Sequence, residues 1–202
     1  MFVVGITGGI ASGKTTVTRI FQLLGIPVFI ADLSAKKIIR QNQEVRQAII
    51  SAFGEQSYLP DGTYNTSYIA SVVFNDQYAL KKINAIVHPA VRQDFLQWEN
   101  KVKAPYCIHE SAILFEAGLK PLMNKVIVIT ANDEVRVQRI IKRDKISMEA
   151  ALKRINAQMS QADKIRLSDY QIKNDGKNLI VEDCIKIHFA ILGELKQIKR
   201  KT

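Results

Sequence analysis

Residues 8–15 read Gly8-Gly9-Ile10-Ala11-Ser12-Gly13-Lys14-Thr15, and Thr16 follows. A loop this rich in glycine can turn successive backbone N–H groups inward and form a concave nest for an anion. In the pattern G-x-x-x-x-G-K-[ST] that nest cradles a β-phosphate, the Lys14 ammonium reaches the β- and γ-phosphates, and the Thr15 hydroxyl ligates Mg²⁺. The context matches the chemistry. Phe2–Thr7 is an apolar, strand-like run that leads into the loop. Val17, Ile20, Phe21 and Leu24 then recur at helical spacing, so a helix opens near Lys14 with the positive end of its dipole at the loop.

Nucleotide binding leaves several reactions open, and two absences narrow them. Asn124-Lys125-Val126-Ile127 lacks the final Asp of an N-K-x-D guanine motif. The apolar run Val126–Ile129 is followed by Thr130-Ala131 rather than the Asp-Glu pair of motor and helicase ATPases. Both point to a small-molecule kinase.

The elements that must position these residues follow from periodicity. Gly25 is placed to end the first helix, and Pro27 opens a buried strand, Val28–Ala31, that stops at Asp32. From Leu33 to about Lys103 only helical patterns appear, with a Pro60-Asp61-Gly62 turn and Pro89 placed to open a further helix. Strands resume at Tyr106–His109, ending at Glu110, and at Val126–Ile129. A helix is predicted over Asp133–Arg143, another helical stretch over Ser147–Asp163, a last strand at Tyr170–Ile172, a turn at Asn174-Asp175-Gly176 and a closing helix. Strands alternating with helices predict an α/β fold of the P-loop NTPase type, a doubly wound parallel sheet of about five strands.

Composition bounds the alternatives. At 202 residues, 47% hydrophobic and 24% charged, the chain suits one α/β domain. No apolar run approaches the roughly 20 residues that cross a bilayer, and no basic stretch precedes an apolar one at the start, so a cytoplasmic protein is expected. Cys107 and Cys184 read as two buried thiols. A net charge of +10 favours anionic partners, among them nucleic acid or a phosphorylated metabolite. The basic residues are dispersed, without an aromatic-plus-basic recognition motif, which argues against nucleic acid. The run Lys196-Gln197-Ile198-Lys199-Arg200-Lys201 reads as a solvated helix end.

Taken together, the motifs resemble the dephospho-coenzyme A kinase family. Ile6–Thr16 is similar to its T-G-G-I-G-S-G-K-[ST] loop, with Ala11 at one glycine position. Ala31-Asp32 resembles its D-A-D motif, with Ile30 for the first Asp. Ile86-Val87-His88-Pro89 resembles its apolar-apolar-His-Pro motif. Glu110-Ser111-Ala112-Ile113-Leu114-Phe115-Glu116 resembles D-x-P-L-L-F-E, with Glu110 for Asp and Ala112 for Pro. Arg139, Arg143-Asp144, Arg154, Gln158, Asp169 and Asn174-Asp175-Gly176 keep the family's order and spacing.

The resemblance implies transfer of a phosphoryl group from ATP, with Mg²⁺, to the ribose 3′-hydroxyl of dephospho-coenzyme A. Another small-molecule kinase, such as a nucleoside or nucleotide kinase, is the first alternative; an ATP-binding protein acting on nucleic acid is a distant one. The implied organisation is one domain with a core (about 1–32, 104–143 and 168–202), a helical acceptor-binding insertion (about 33–103) and a lid (about 144–167). Gly8, Gly9, Ala11, Ser12, Gly13, Lys14, Thr15, Thr16 and Arg139 would bind nucleotide, and Thr15 the metal. Asp32, Lys14 and Arg143 would carry the chemistry, while Asp32, His88 and Glu110 would bind the acceptor.

Bland readings compete at each position. Asp32 either accepts the hydroxyl proton or caps the helix after it. Arg139, Arg143, Arg154 and Gln158 either serve the nucleotide or form a solvated face. His88 holds a turn between helices or touches acceptor. Glu110 holds Mg²⁺ through water, binds acceptor or caps a segment. Tyr68, Phe74 and Trp98 line a pantetheine site or belong to core. No nucleic acid or membrane partner is expected, and the chain is expected to be a monomer or a small homo-oligomer.

Overall fold

A computed structural model describes residues 1–73, 76–177 and 179–201; Phe74 lies outside the described residues. Five strands, β1 (Val3–Gly8), β2 (Val28–Ile30), β3 (Cys107–Glu110), β4 (Lys125–Thr130) and β5 (Tyr170–Lys173), form one parallel sheet in the order β2-β3-β1-β4-β5. Central β1 sets Ile6 opposite Glu110 on β3 and opposite Ile127 on β4. Every residue of β1 and β3 is buried. Burial on both faces explains why these strands read as continuous apolar runs rather than alternating ones. The chain reverses its direction of travel across the sheet beside β1, and there the glycine loop emerges.

Helix α1 (Lys14–Leu23) buries Val17 and Phe21 on the sheet, against the closing helix over Ile180–Lys201. It ends as expected at Gly25, whose left-handed φ of 80° lets Ile26 N–H reach the Phe21 carbonyl. By contacts the chain divides into two units, residues 1–29 with 102–202, and residues 30–101.

The second unit is helical: α2 (Ala31–Gln41), α3 (Gln43–Phe53), α4 (Thr66–Val73) and α5 (Gln77–Glu99). Ile38, Val45, Ile49, Tyr58, Ile69, Ile83 and Val87 form its core, with Tyr68 packed against them. Trp98 stacks near Phe95, ring centroids 6.0 Å apart. Pro89 does not open a new helix. It lies inside the 23-residue α5. The proline removes one helical hydrogen bond, but the buried stripe Ala79, Ile83, Val87 and Phe95 continues on both sides of it, and packing overrides the local break.

In the first unit, α6 (Asp133–Asp144), α7 (Met148–Asn156), α8 (Gln161–Arg166) and α9 (Ile180–Lys201) complete the fold. The stretch expected to be helical from Ser147 to Asp163 is two helices, because Ser147 and Ser160 each accept from the N–H three residues on and so begin a helix. Val137, Ile140, Ala151 and Ile155 of α6 and α7 form a small core of their own, and Ile10 and Ala11 pack against it.

Candidate functional site

Side chains from other elements of the first unit bind three carbonyls of the loop after β1. Arg136 Nε donates to the Ile10 carbonyl at 3.0 Å, Arg139 Nη1 to Ala11 at 3.2 Å and Asn174 Nδ2 to Ser12 at 3.0 Å. The Gln158 side-chain oxygen accepts from the Ile10 N–H at 2.7 Å. Hydrogen bonds to three successive carbonyls hold the loop in one shape, as a preformed anion nest requires. Gly13 takes φ 97° as N-cap of α1, and the helix opens without a capping side chain or an acidic residue in its first turn. No acidic side chain of the helix's own first turn therefore competes there with a phosphate. Ala11 holds φ 60°, a left-handed conformation unusual for a residue with a Cβ.

Close approach explains other loop residues. A Cβ on Gly8 would collide with the Ile129 carbonyl, and one on Gly9 with the Arg136 guanidinium. Lys14 Nζ donates to the Gly8 carbonyl at 3.0 Å and stands 4.0 Å from the Glu110 carboxylate. Glu110, at the end of β3, is 7% exposed. Thr15 and Thr16 are exposed on the first turn of α1, and the Ser12 side chain is buried.

The expected nucleotide set thus gathers in the first unit: Gly8, Gly9, Ala11, Ser12, Gly13, Lys14, Thr15, Thr16 and Arg139, with Glu110 beside Lys14. Arg143 is not drawn to the loop. Its guanidinium makes a two-point pair with Asp144, which also accepts from Arg154 at 2.6 Å. That pairing raises the Arg143 pKa and lowers that of Asp144.

Asp32 and His88 belong to the second unit. Asp32 is exposed in the first turn of α2, and Ile30, not Asp32, is the N-cap. The capping reading of Asp32 therefore falls. His88 lies mid-helix rather than at a turn, and burial lowers its pKa.

Two buried basic residues, one of them bound to the loop, escaped the sequence reading. Arg136 is 3% exposed and also binds Asp133 at 2.8 Å. Its signal was present: it stands four residues before Ile140, on the buried face of α6, where an apolar residue is the rule. Lys164, 0% exposed, donates to the Ala112 carbonyl and pairs with Glu116, each at 2.8 Å. A lysine in a solvent-facing pattern gave no such signal.

Among the described residues no cluster of three His, Cys, Asp or Glu side chains could hold a metal unaided. The site fits Mg²⁺ all the same, because that ion keeps several waters and is held by one or two protein oxygens together with substrate phosphates. An exposed threonine hydroxyl on the loop's helix and a carboxylate beside Lys14 are donors of that kind.

Known proteins are similar to this chain in sequence and fold. A family model described as dephospho-CoA kinase matches residues 2–179. A dephospho-CoA kinase of Geobacillus kaustophilus is 37% identical over 176 residues, covering 86% of this chain and 88% of that one. A crystal structure from Thermus thermophilus superposes with a TM-score of 0.82 at 32% identity, covering 96% of this chain and 97% of that one. The structure of a dephospho-CoA kinase from Campylobacter jejuni gives a TM-score of 0.66 at 31% identity, covering 94% and 96%.

Proposed function

The chain belongs to the dephospho-CoA kinase family, and on that footing we propose that it transfers the γ-phosphoryl group of ATP to the ribose 3′-hydroxyl of dephospho-coenzyme A, the last step of coenzyme A synthesis. The observation that carries the nucleotide half is the loop itself, with the Ile10, Ala11 and Ser12 carbonyls each bound by a side chain and Lys14 bound to the Gly8 carbonyl.

Phosphoryl transfer rests on positioning and charge neutralisation. The loop N–H groups hold the β-phosphate. Lys14 leaves the Gly8 carbonyl for the β- and γ-oxygens. Thr15 directly, and Glu110 through water, would hold Mg²⁺, which would supply neutralisation of phosphate charge. Asp32 orients the 3′-hydroxyl and accepts its proton as the new O–P bond forms and the bond to the ADP oxygen breaks. Residues 33–103, with His88, receive the acceptor. Residues 144–167 act as a lid; its closure frees Arg143 from Asp144 for the transferring phosphoryl, while Arg139 turns from Ala11 to the nucleotide. The enzyme works in the cytoplasm, as a monomer or small homo-oligomer, without nucleic acid.

The test is ADP release from ATP and Mg²⁺, with and without dephospho-coenzyme A, in the wild type and in Asp32→Asn. Acceptor-dependent release that drops about 10²- to 10⁴-fold in the variant supports both reaction and base. Release without acceptor dependence in the wild type sinks the reaction. Full activity in the variant sinks the role of Asp32.

A further inference from the structure

We propose that Arg136 is a positioning residue for nucleotide binding: through the Ile10 carbonyl it fixes the crest of the phosphate loop in its receptive shape. The inference rests on the nucleotide site read above, not on the identity of the acceptor.

Arg136 reaches the loop from α6, a different element, and is itself held. Nε donates to Ile10 O at 3.0 Å, Nη1 to Asp133 at 2.8 Å, and the guanidinium occupies the space that a Cβ on Gly9 would need. Only 3% of the residue is exposed. A guanidinium is a rigid fork with several donors, so one side chain can serve the Ile10 carbonyl and the Asp133 carboxylate in fixed directions.

The crest would otherwise have cause to move. Ala11 sits at φ 60°, a conformation that a residue with a Cβ keeps only when its surroundings impose it. Ile10 and Ala11 pack on the apolar cluster of α6 and α7, so the crest is held by packing on one side and by the guanidinium at its carbonyl. Flipping the Ile10 peptide would break that hydrogen bond and move the following N–H out of the nest. The glycine at position 9 then has a second cause besides backbone freedom: its missing side chain is the seat of Arg136.

The experiment measures ADP and ATP affinity by calorimetry without acceptor, beside KM for each substrate, in Arg136→Met, Arg136→Lys and Gly9→Ala. Loss of a charged hydrogen bond predicts nucleotide binding weaker by roughly 10- to 100-fold in Arg136→Met, with KM for dephospho-coenzyme A little changed. Arg136→Lys, which keeps the charge but not the fork, falls between Met and wild type. Gly9→Ala weakens nucleotide binding in the wild-type background and much less on top of Arg136→Met.

Wild-type affinity in a folded Arg136→Met overturns the proposal. So does an equal rise in both KM values, which marks a merely structural role. If Arg136→Met does not fold, Arg136→Lys and Gly9→Ala decide by the same criteria. Because binding is read without acceptor, nucleotide affinity that tracks Arg136 while dephospho-coenzyme A goes unphosphorylated would leave this inference standing and remove only the proposed reaction.

Discussion

The Lys14 ammonium is shared between the Gly8 carbonyl, at 3.0 Å, and the Glu110 carboxylate, 4.0 Å away. A cation so placed is ready for an incoming phosphate, yet the nearby carboxylate opposes any anion that arrives without a metal. Glu110→Gln is therefore expected to tighten binding of metal-free ATP by on the order of tenfold, the equivalent of one pKa unit of charge interaction. The same change is expected to lower kcat with Mg²⁺. Calorimetry with and without Mg²⁺, beside steady-state rates, reads both signs; metal-free affinity that stays level removes Glu110 from the electrostatics of the site.

Gly13 and Asn174 make a second pair. Asn174 Nδ2 binds the Ser12 carbonyl and lies where a Cβ on Gly13 would project. With φ at 97°, Gly13→Ala adds backbone strain to the collision. A cost of about 1–3 kcal/mol in stability is expected, with nucleotide affinity lost as Asn174 is pushed off Ser12. Thermal unfolding and ADP calorimetry test this together. Asn174→Ala is expected to weaken ADP binding with a smaller effect on stability.

Burial pushes the pKa of His109 down to about 4 from 6.5; the residue is 3% exposed, and its ring packs on Phe29 with centroids 5.4 Å apart. The folded state thus prefers the neutral ring. The unfolded chain binds a proton near pH 6.5 that the native chain refuses until about pH 4, so this contribution is full above 6.5 and lost as pH falls between those values. The slope is about 1.4 kcal/mol per pH unit. Urea unfolding from pH 7.5 to 4.5 should show it, and His109→Gln should flatten it. Some slope will persist, because burial also lowers the pKa of His88 and His188.

Much of this was legible in the residues. The loop declares itself because its chemistry is local: glycines, Lys14 and Thr15 lie within eight positions, flanked by the strand and helix they need. The parallel sheet was legible because β1, β3 and β4 are buried along nearly all their length and so are written as mainly apolar runs. Pro89 misled because its local preference is weaker than the stripe of buried side chains that carries α5 past it. Arg136 and Lys164 escaped because their partners are distant in sequence: Ile10 is 126 positions from Arg136, and Ala112 is 52 from Lys164. A pattern within one element shows that a charge faces inward, but not what it will meet.

Lys164 offers the sharpest test of such a distant contact. Its side chain is fully buried, bound to the Ala112 carbonyl and to Glu116, which also accepts from the Met159 N–H at 3.2 Å. One ammonium therefore ties α8 to the segment after β3, and Glu116 ties that segment to the link before α8. Removing a single partner of a buried pair strands the other, so Lys164→Met is expected to cost about 3 kcal/mol. For a chain of this length that is a fall in Tm of roughly 6–12 °C. Replacing both partners, in Lys164→Met with Glu116→Leu, is expected to recover most of the loss, since an apolar pair needs no counter-charge. A double-mutant cycle by urea unfolding reads the coupling directly. Additive costs would mean that Lys164 is held by the Ala112 carbonyl and its packing, with the carboxylate contributing little.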